Sequence, residues 1–187
     1  MIMVEEVTKQ GKSNMDIDSY LMKKQNSIYL IGEITDEMAM DTIKKIQYLS
    51  EKSDDDIVII INSVGGSVTA GLAIYDVMQS CSNNITTIGI GCVASMGAFL
   101  LSAGTQGYRY AYPHCEIMIH QVLGNIQGNM IDVDIAYQRM KEQNNVVLSL
   151  LAKHCKSTLK NIQKYTERDC FLTANQAMQL GLIDSIV

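Results

Sequence analysis

A serine, a histidine and a choice of aspartates are the residues of this 187-residue chain whose types could carry nucleophilic chemistry. Ile88 to Gly104 reads IGIGCVASMGAFLLSAG, an apolar strand, a glycine turn and then a helix of small residues starting near Ser95. A serine at such a turn is presented at the sheet edge, and the N–H groups that open the helix face any oxyanion formed beside it. The same position also suits a helix cap, so the segment alone admits both roles for Ser95. A serine hydroxyl needs a base with a pKa near working pH, and histidine is the usual one. The chain has three histidines. His114 follows Pro113 in a turn and His154 lies in the charged tail of a long helix, so both read as solvated. His120 ends the strand EIMIH on the face of Glu116 and Met118, and is the candidate base. A carboxylate should orient that imidazole. Spacing does not choose among Asp132, Asp134, Asp169 and Asp184. A second glycine turn, Asn62-Ser63-Val64-Gly65-Gly66-Ser67, could offer bare N–H groups to a carbonyl oxyanion or equally to a phosphate.

Apolar runs of strand length alternate with amphipathic ones, which indicates an α/β fold around a mostly parallel sheet. Strands are expected at Ser27 to Ile34, Ile57 to Ile61, Ile85 to Ile90, Tyr108 to Tyr112, Glu116 to His120 and Leu182 to Val187. The unbroken apolar run Ile57 to Ile61 predicts a strand covered on both faces. Helices are expected after Ser13 or Asn14, after Thr35 or Asp36, and between Thr173 and Gly181. A longer one should run from about Met130 to about Lys153, with Ile131, Ile135, Val147 and Leu151 on its apolar side. One proline and no linker-like tract predict a single domain over residues 1–187, with residues 1–13 a mobile leading segment rather than core.

With 47% hydrophobic and 19% charged residues the chain can bury a core, which excludes a disordered protein. A formal net charge of −5 without a basic cluster argues against nucleic-acid binding. The five cysteines form no C-x-x-C pair, which suggests neither a metal site nor a disulfide framework, and a reducing cytoplasm is the simplest setting. Glu5 and Glu6 interrupt what a secretory signal would need. Val77 to Tyr108 carries no charged residue, yet its asparagines, threonines and glycines fit a buried strand, turn and helix better than a membrane span. No cofactor is expected.

Four blocks in order, INSVGGSVTAGLAIYDVM, GCVASMGAFLLSAG, IMIHQ and TERDCFLTANQAMQLGLID, resemble the proteolytic subunit of the Clp protease family from about Tyr20 to Val187. The resemblance implies Ser95 as nucleophile, His120 as base, Asp169 as orienting acid, and Gly66 and Met96 as backbone oxyanion donors. It further implies Glu167 and Arg168 as ion-pair positions between rings. The implied fold is a Clp/crotonase-like superhelix of strand-strand-helix units, with the helix at about 130–153 as a projecting handle. The implied assembly is two stacked heptameric rings enclosing the sites, where unfolded polypeptides would bind as an added strand beside Leu123 to about Gln127. An AAA+ unfoldase would be the chaperone partner.

Four positions depart from that family's pattern. Val64 and Val122 stand where prolines are usual in N-S-P-G-G and H-Q-P, so both turns are expected to be looser. Val58 and Ile60 stand where tyrosines help to receive unfoldase loops, and a second Clp subunit in a mixed ring could supply that surface instead. Two other readings follow, a partner-dependent structural or regulatory subunit of such a ring and a crotonase-like enzyme acting on acyl-coenzyme A. Cys92 and Cys170 lie close in sequence to the candidate site.

Overall fold

The computed structural model describes residues 2–8 and 11–187. The chain opens with strands β1 (Met3–Thr8) and β2 (Gly11–Asp16), paired antiparallel with Met3 opposite Asp16 and Thr8 opposite Gly11. The leading segment, expected to be mobile rather than core, forms a two-stranded hairpin; Met1, Lys9 and Gln10 lie outside the described residues. Helix α1 (Ile17–Gln25) follows, capped by Asp16 rather than Ser13 or Asn14 because the Asp16 carboxylate accepts from the Ser19 N–H. Glu6, nearly buried, holds Lys23 and Lys24 of this helix at 2.6 and 2.7 Å.

The main sheet is built by β3 (Ser27–Ile34), α2 (Asp36–Lys52), β4 (Ile57–Gly66), α3 (Val68–Ser80), β5 (Ile85–Ala94), α4 (Met96–Ser102) and β6 (Arg109–Ala111) in turn. Helices α2 and α3 each start from a definite cue. Thr35 accepts from the Met38 N–H and is followed by Asp36 and Glu37, and Ala39, Ile43, Ile46 and Leu49 then fall on one buried stripe of α2. Ser67 caps α3 in the same way. Strands β3 to β6 pair parallel, and the short β9 (Ser185–Ile186) pairs parallel with β6 at the edge.

The helices cover one face. Ile57, Ile59 and Ile61 of β4 are buried, whereas Val58 and Ile60 are only half-buried. The expectation of a strand covered on both faces is thus corrected. Tyr29, Ile60, Ile88 and Tyr110 are neighbours across the ladder on the second face, beside the exposed Ile31 and Tyr112. An unbroken apolar run cannot distinguish a face covered by this chain from one left open.

The sheet branches at β5. Its first part, Thr87 to Gly89, pairs with β6, and its last part, Cys92 to Ala94, pairs parallel with β7 (Glu116–Ile119). After β7 comes a stretch without regular structure, then α5 (Met130–His154), α6 (Leu159–Thr166), β8 (Cys170–Thr173) and α7 (Ala174–Leu180). Strand β8 pairs antiparallel with β7, and α7 is closed by Gly181 at φ 87°, a left-handed cap that favours glycine. In α5 the buried residues are Val147, Leu148, Leu151 and Ala152, all in its last turns. Ile131 and Ile135, on the apolar side of this helix, are exposed together with Met130. Neither α6 nor β8 was anticipated, both being short.

Candidate active site

The branch at β5 brings three chain ends together. Ala94 pairs with Met118, so Ser95 emerges beside the end of β7, and its N–H donates to the Met118 carbonyl at 2.8 Å. On the other side of β7, Ile119 pairs with Cys170, and one step along the same antiparallel ladder brings His120 opposite Asp169. Adjacent strands thus deliver a serine, a histidine and an aspartate from positions 95, 120 and 169.

Ser95 is held at φ 55° and ψ −124°, a conformation that L-residues rarely adopt. Although it precedes α4, its side chain makes no capping bond. Its hydroxyl lies instead 2.8 Å from His120 Nε2. The cap reading of Ser95 is therefore overturned. The Gly-Gly turn approaches closely from β4: a Cβ on Gly65 would lie 2.6 Å from Ser95 Cβ, and one on Gly66 would strike the Ile34 backbone. Gly65 and Gly66 have φ of 88° and 153°, so both conformation and space demand glycine. Ser63, buried, spans the turn by accepting from the Gly65 N–H at 3.1 Å, while Val64 is exposed.

His120 Nδ1 lies 3.2 Å from Asp169 Oδ1. That separation is within ion-pair reach, but the nitrogen is not aimed at the carboxylate. Nδ1 is buried and has no aligned hydrogen bond among the described residues. The histidine side chain is 12% exposed and the aspartate 57%, so the pair is closed on one side and open on the other. Glu167 and Arg168, just before Asp169, are exposed.

The other carboxylates are elsewhere. Asp132 accepts from Asn129 at the start of α5, and Asp134 is exposed on the same helix. Asp184 grips Arg109 through two bonds of 2.8 and 2.6 Å. Burial alone would raise its pKa, but the hydrogen bonds and charge of Arg109, with the Gly107 N–H, outweigh this and hold it below the ordinary carboxylate value. The remaining histidines differ from each other. His114 is exposed, as expected. His154 is not a solvated bystander: its Nε2 lies 3.2 Å from the Tyr75 hydroxyl, and burial, then the charges of Lys153 and Arg109, push its pKa down to about 4.

Ser95 and His120 open onto a cavity of about 230 Å³ whose apolar wall is Val68, Met96, Phe99, Met118, Val147 and Leu151. Gly66 and Met96 border the same space. A second hollow of about 510 Å³ continues from it between the Gly66–Thr69 turn, the Val122–Ile126 segment and α5. Neither a cluster that could hold a metal ion nor a helix long and apolar enough to cross a membrane occurs among the described residues. The thiols of Cys115 and Cys155 are pushed up to about 11, first of all by burial, and burial also raises that of Cys170. A raised pKa leaves little thiolate, which argues against a reactive Cys170.

The anchors of the site left little trace in the sequence. Gln121, Asn144 and Thr166, which tie down the chain beyond His120, were not singled out. Thr158, whose hydroxyl accepts from the Asn161 N–H at the start of α6, was the one local sign of the helix that carries Thr166.

By architecture the molecule is a mixed α/β protein with a mostly parallel sheet, whose branch point carries a hydroxyl–imidazole pair above an apolar cavity. Residues 9–187 match the family model described as Clp protease, and the chain belongs to that family. It is a peptidase of the Clp type, from a family whose members generally oligomerise and work with AAA+ partners.

Proposed function

We propose that the chain is a serine endopeptidase that cuts unfolded polypeptides through an acyl-enzyme at Ser95, as the proteolytic subunit of an oligomeric chamber. The observation that carries this reading is the 2.8 Å contact of Ser95 Oγ with His120 Nε2, made by a serine in a strained turn with no capping role. His120 Nε2 takes the hydroxyl proton as Oγ bonds to the scissile carbonyl carbon. The resulting oxyanion is met by the N–H groups of Gly66 and Met96. Its collapse breaks the C–N bond, and the imidazolium returns the proton to the leaving amine. Water, deprotonated in turn by His120, then attacks the ester and frees the acid and Ser95. Asp169 orients the imidazole and stabilises its charged form.

A peptide added as a strand beside Leu123 to Gln127 would bind through its backbone, which tolerates many sequences. An apolar side chain at the cut would enter the cavity walled by Phe99, Met118 and Leu151. The open sheet face with Tyr29, Ile31, Ile60, Ile88 and Tyr112 suits the AAA+ unfoldase, with aliphatic Val58 and Ile60 supplying part of it. The exposed apolar half of α5, and Glu167 and Arg168 beside the site, suit contacts between stacked heptameric rings.

The unaligned Nδ1 favours a second reading, a subunit whose triad completes only beside a partner subunit. A fluorophosphonate probe with adduct mapping separates the two. Labelling of Ser95 in the assembled chain alone, lost in Ser95→Ala and His120→Ala, is the outcome expected of a self-sufficient peptidase. Assembled rings that label only after a second Clp subunit is added would establish the partner-dependent one.

A further inference from the structure

The stretch from Gln121 to Gly128 is the least braced part of the site, because it belongs to no helix or strand. Among the described residues its backbone makes two hydrogen bonds, both directly after His120. The Gln121 N–H donates to the Thr166 carbonyl at 2.8 Å, and the Val122 N–H donates to Asn144 Oδ1 at 3.0 Å. The Gln121 side chain adds a bond to the Glu167 carbonyl at 3.1 Å. One anchor therefore lies at the end of α6, close to Asp169, and the other lies on α5.

The second anchor exists because residue 122 is not proline. A proline there would have no N–H to donate, and its ring would stiffen the turn by itself. Valine leaves the turn to be held from outside, and Asn144 holds it. The carboxamide orientation follows from chemistry, since a backbone N–H can only donate and Oδ1 must accept. Asn144 is half-buried and shares a face of α5 with Val147 and Leu151, three and seven residues on. That one face thus grips the loop after His120 and also walls the cavity beside Ser95.

We infer that Asn144 is a positioning residue for the proposed peptidase reaction, holding the 121–123 backbone through the Val122 N–H so that His120 stays on Ser95. It rests on the peptidase reading given above. The exposed Met130, Ile131 and Ile135 belong to the same helix as Asn144.

The assay compares assembled wild-type protein with Asn144→Ala, Asn144→Asp, Val122→Pro and the Val122→Pro/Asn144→Ala double variant. It reads the rate of Ser95 labelling by a fluorophosphonate, hydrogen exchange at the Val122 amide, and sedimentation as the control for assembly. Asn144→Ala should slow labelling roughly three- to tenfold, about the alignment lost with one net hydrogen bond, and speed exchange at Val122. Asn144→Asp keeps an acceptor in place and should restore both. With Val122→Pro, which has no donor, Asn144→Ala should slow labelling no further. Should Asn144→Ala not assemble, Asn144→Gln displaces the acceptor by one methylene and carries the same expectation. Unchanged labelling in Asn144→Ala, or an Asn144→Asp as slow as Asn144→Ala, would overturn the inference. Wild-type protein that never labels would sink the peptidase reading instead, and Val122 exchange unaltered by Asn144→Ala would then still overturn the latch.

Discussion

Two carboxylates on this sheet meet a basic side chain, and the two pairs are built in opposite ways. Asp184 and Arg109 are closed: the guanidinium is 3% exposed, makes two bonds to the carboxylate, and gives its remaining group to the carbonyls of Ser102, His154 and Gly181. Asp169 and His120 are open: the carboxylate is 57% exposed and the ring nitrogen facing it lacks an aligned bond. A buried charge whose donors are all satisfied is locked in place, because any motion strands a charge or a carbonyl. A half-open pair can realign at little cost. The first arrangement suits the joint between α4, α5, α7 and β6, and the second suits a site whose competence depends on what surrounds it.

Removing each pair should give opposite signatures. Asp169→Asn ought to lower peptide turnover by about 10³–10⁴-fold while shifting unfolding free energy by less than about 0.5 kcal/mol. Arg109→Met leaves Asp184 charged and three carbonyls unpaired, so it should destabilise the fold by about 3–5 kcal/mol. Turnover per folded molecule and denaturant unfolding, measured on both variants, check this. If Asp169→Asn unfolds the protein, or Arg109→Met is neutral, the contrast between a locked and an adjustable pair is wrong.

The Gly-Gly turn sharpens the contrast at a single atom. In Gly65→Ala the new methyl would sit 2.6 Å from Ser95 Cβ, at a φ of 88° that alanine resists. The serine must shift, and a displaced nucleophile should lose about 10²-fold in acylation. Gly107→Ala supplies the control, for it shares a left-handed φ of 89° but has nothing within 4 Å of the new Cβ. It should cost stability without touching the labelling of Ser95.

Legibility in the sequence followed the range of the interactions. Ser95 and His120 could be read because a strand-to-glycine-to-helix turn is local and histidines are scarce. The neighbour of His120 could not be, because it is chosen by the antiparallel ladder between β7 and β8, and the four residues of β8 have no pattern of their own. Family resemblance, rather than spacing, singled out Asp169. The hairpin at the start of the chain was missed for a related reason: its cross-strand pairs include Lys12 with Glu5, so polar contacts rather than an apolar alternation accompany it. Half-exposure of Val58 and Ile60 depends on where the helices lie, which no single strand records.

His154 gives the smallest expected effect and tests the locked side of the comparison through pH. Its carbonyl accepts from Arg109, its ring stands edge-on to Tyr75, and the groups that depress its pKa from 6.5 to about 4 are burial, Lys153 and Arg109. Between these two values the unfolded chain binds a proton that the folded one refuses. Stability therefore rises with pH across the window, is complete above about 6.5, and falls as the pH drops toward 4. Because the ring is only part-buried, solvent screening limits the effect to the order of 1 kcal/mol. Asp184 acts in a separate window, since its depressed pKa keeps its contribution intact until the pH falls below the ordinary carboxylate value of 3.8. Denaturant unfolding of wild type and His154→Gln at pH 7.5 and 5.0 isolates the histidine. The wild type should lose more stability than the variant between the two, and equal losses would mean that the ring beside Tyr75 takes up a proton freely and that the joint around Arg109 is looser than its hydrogen bonds imply.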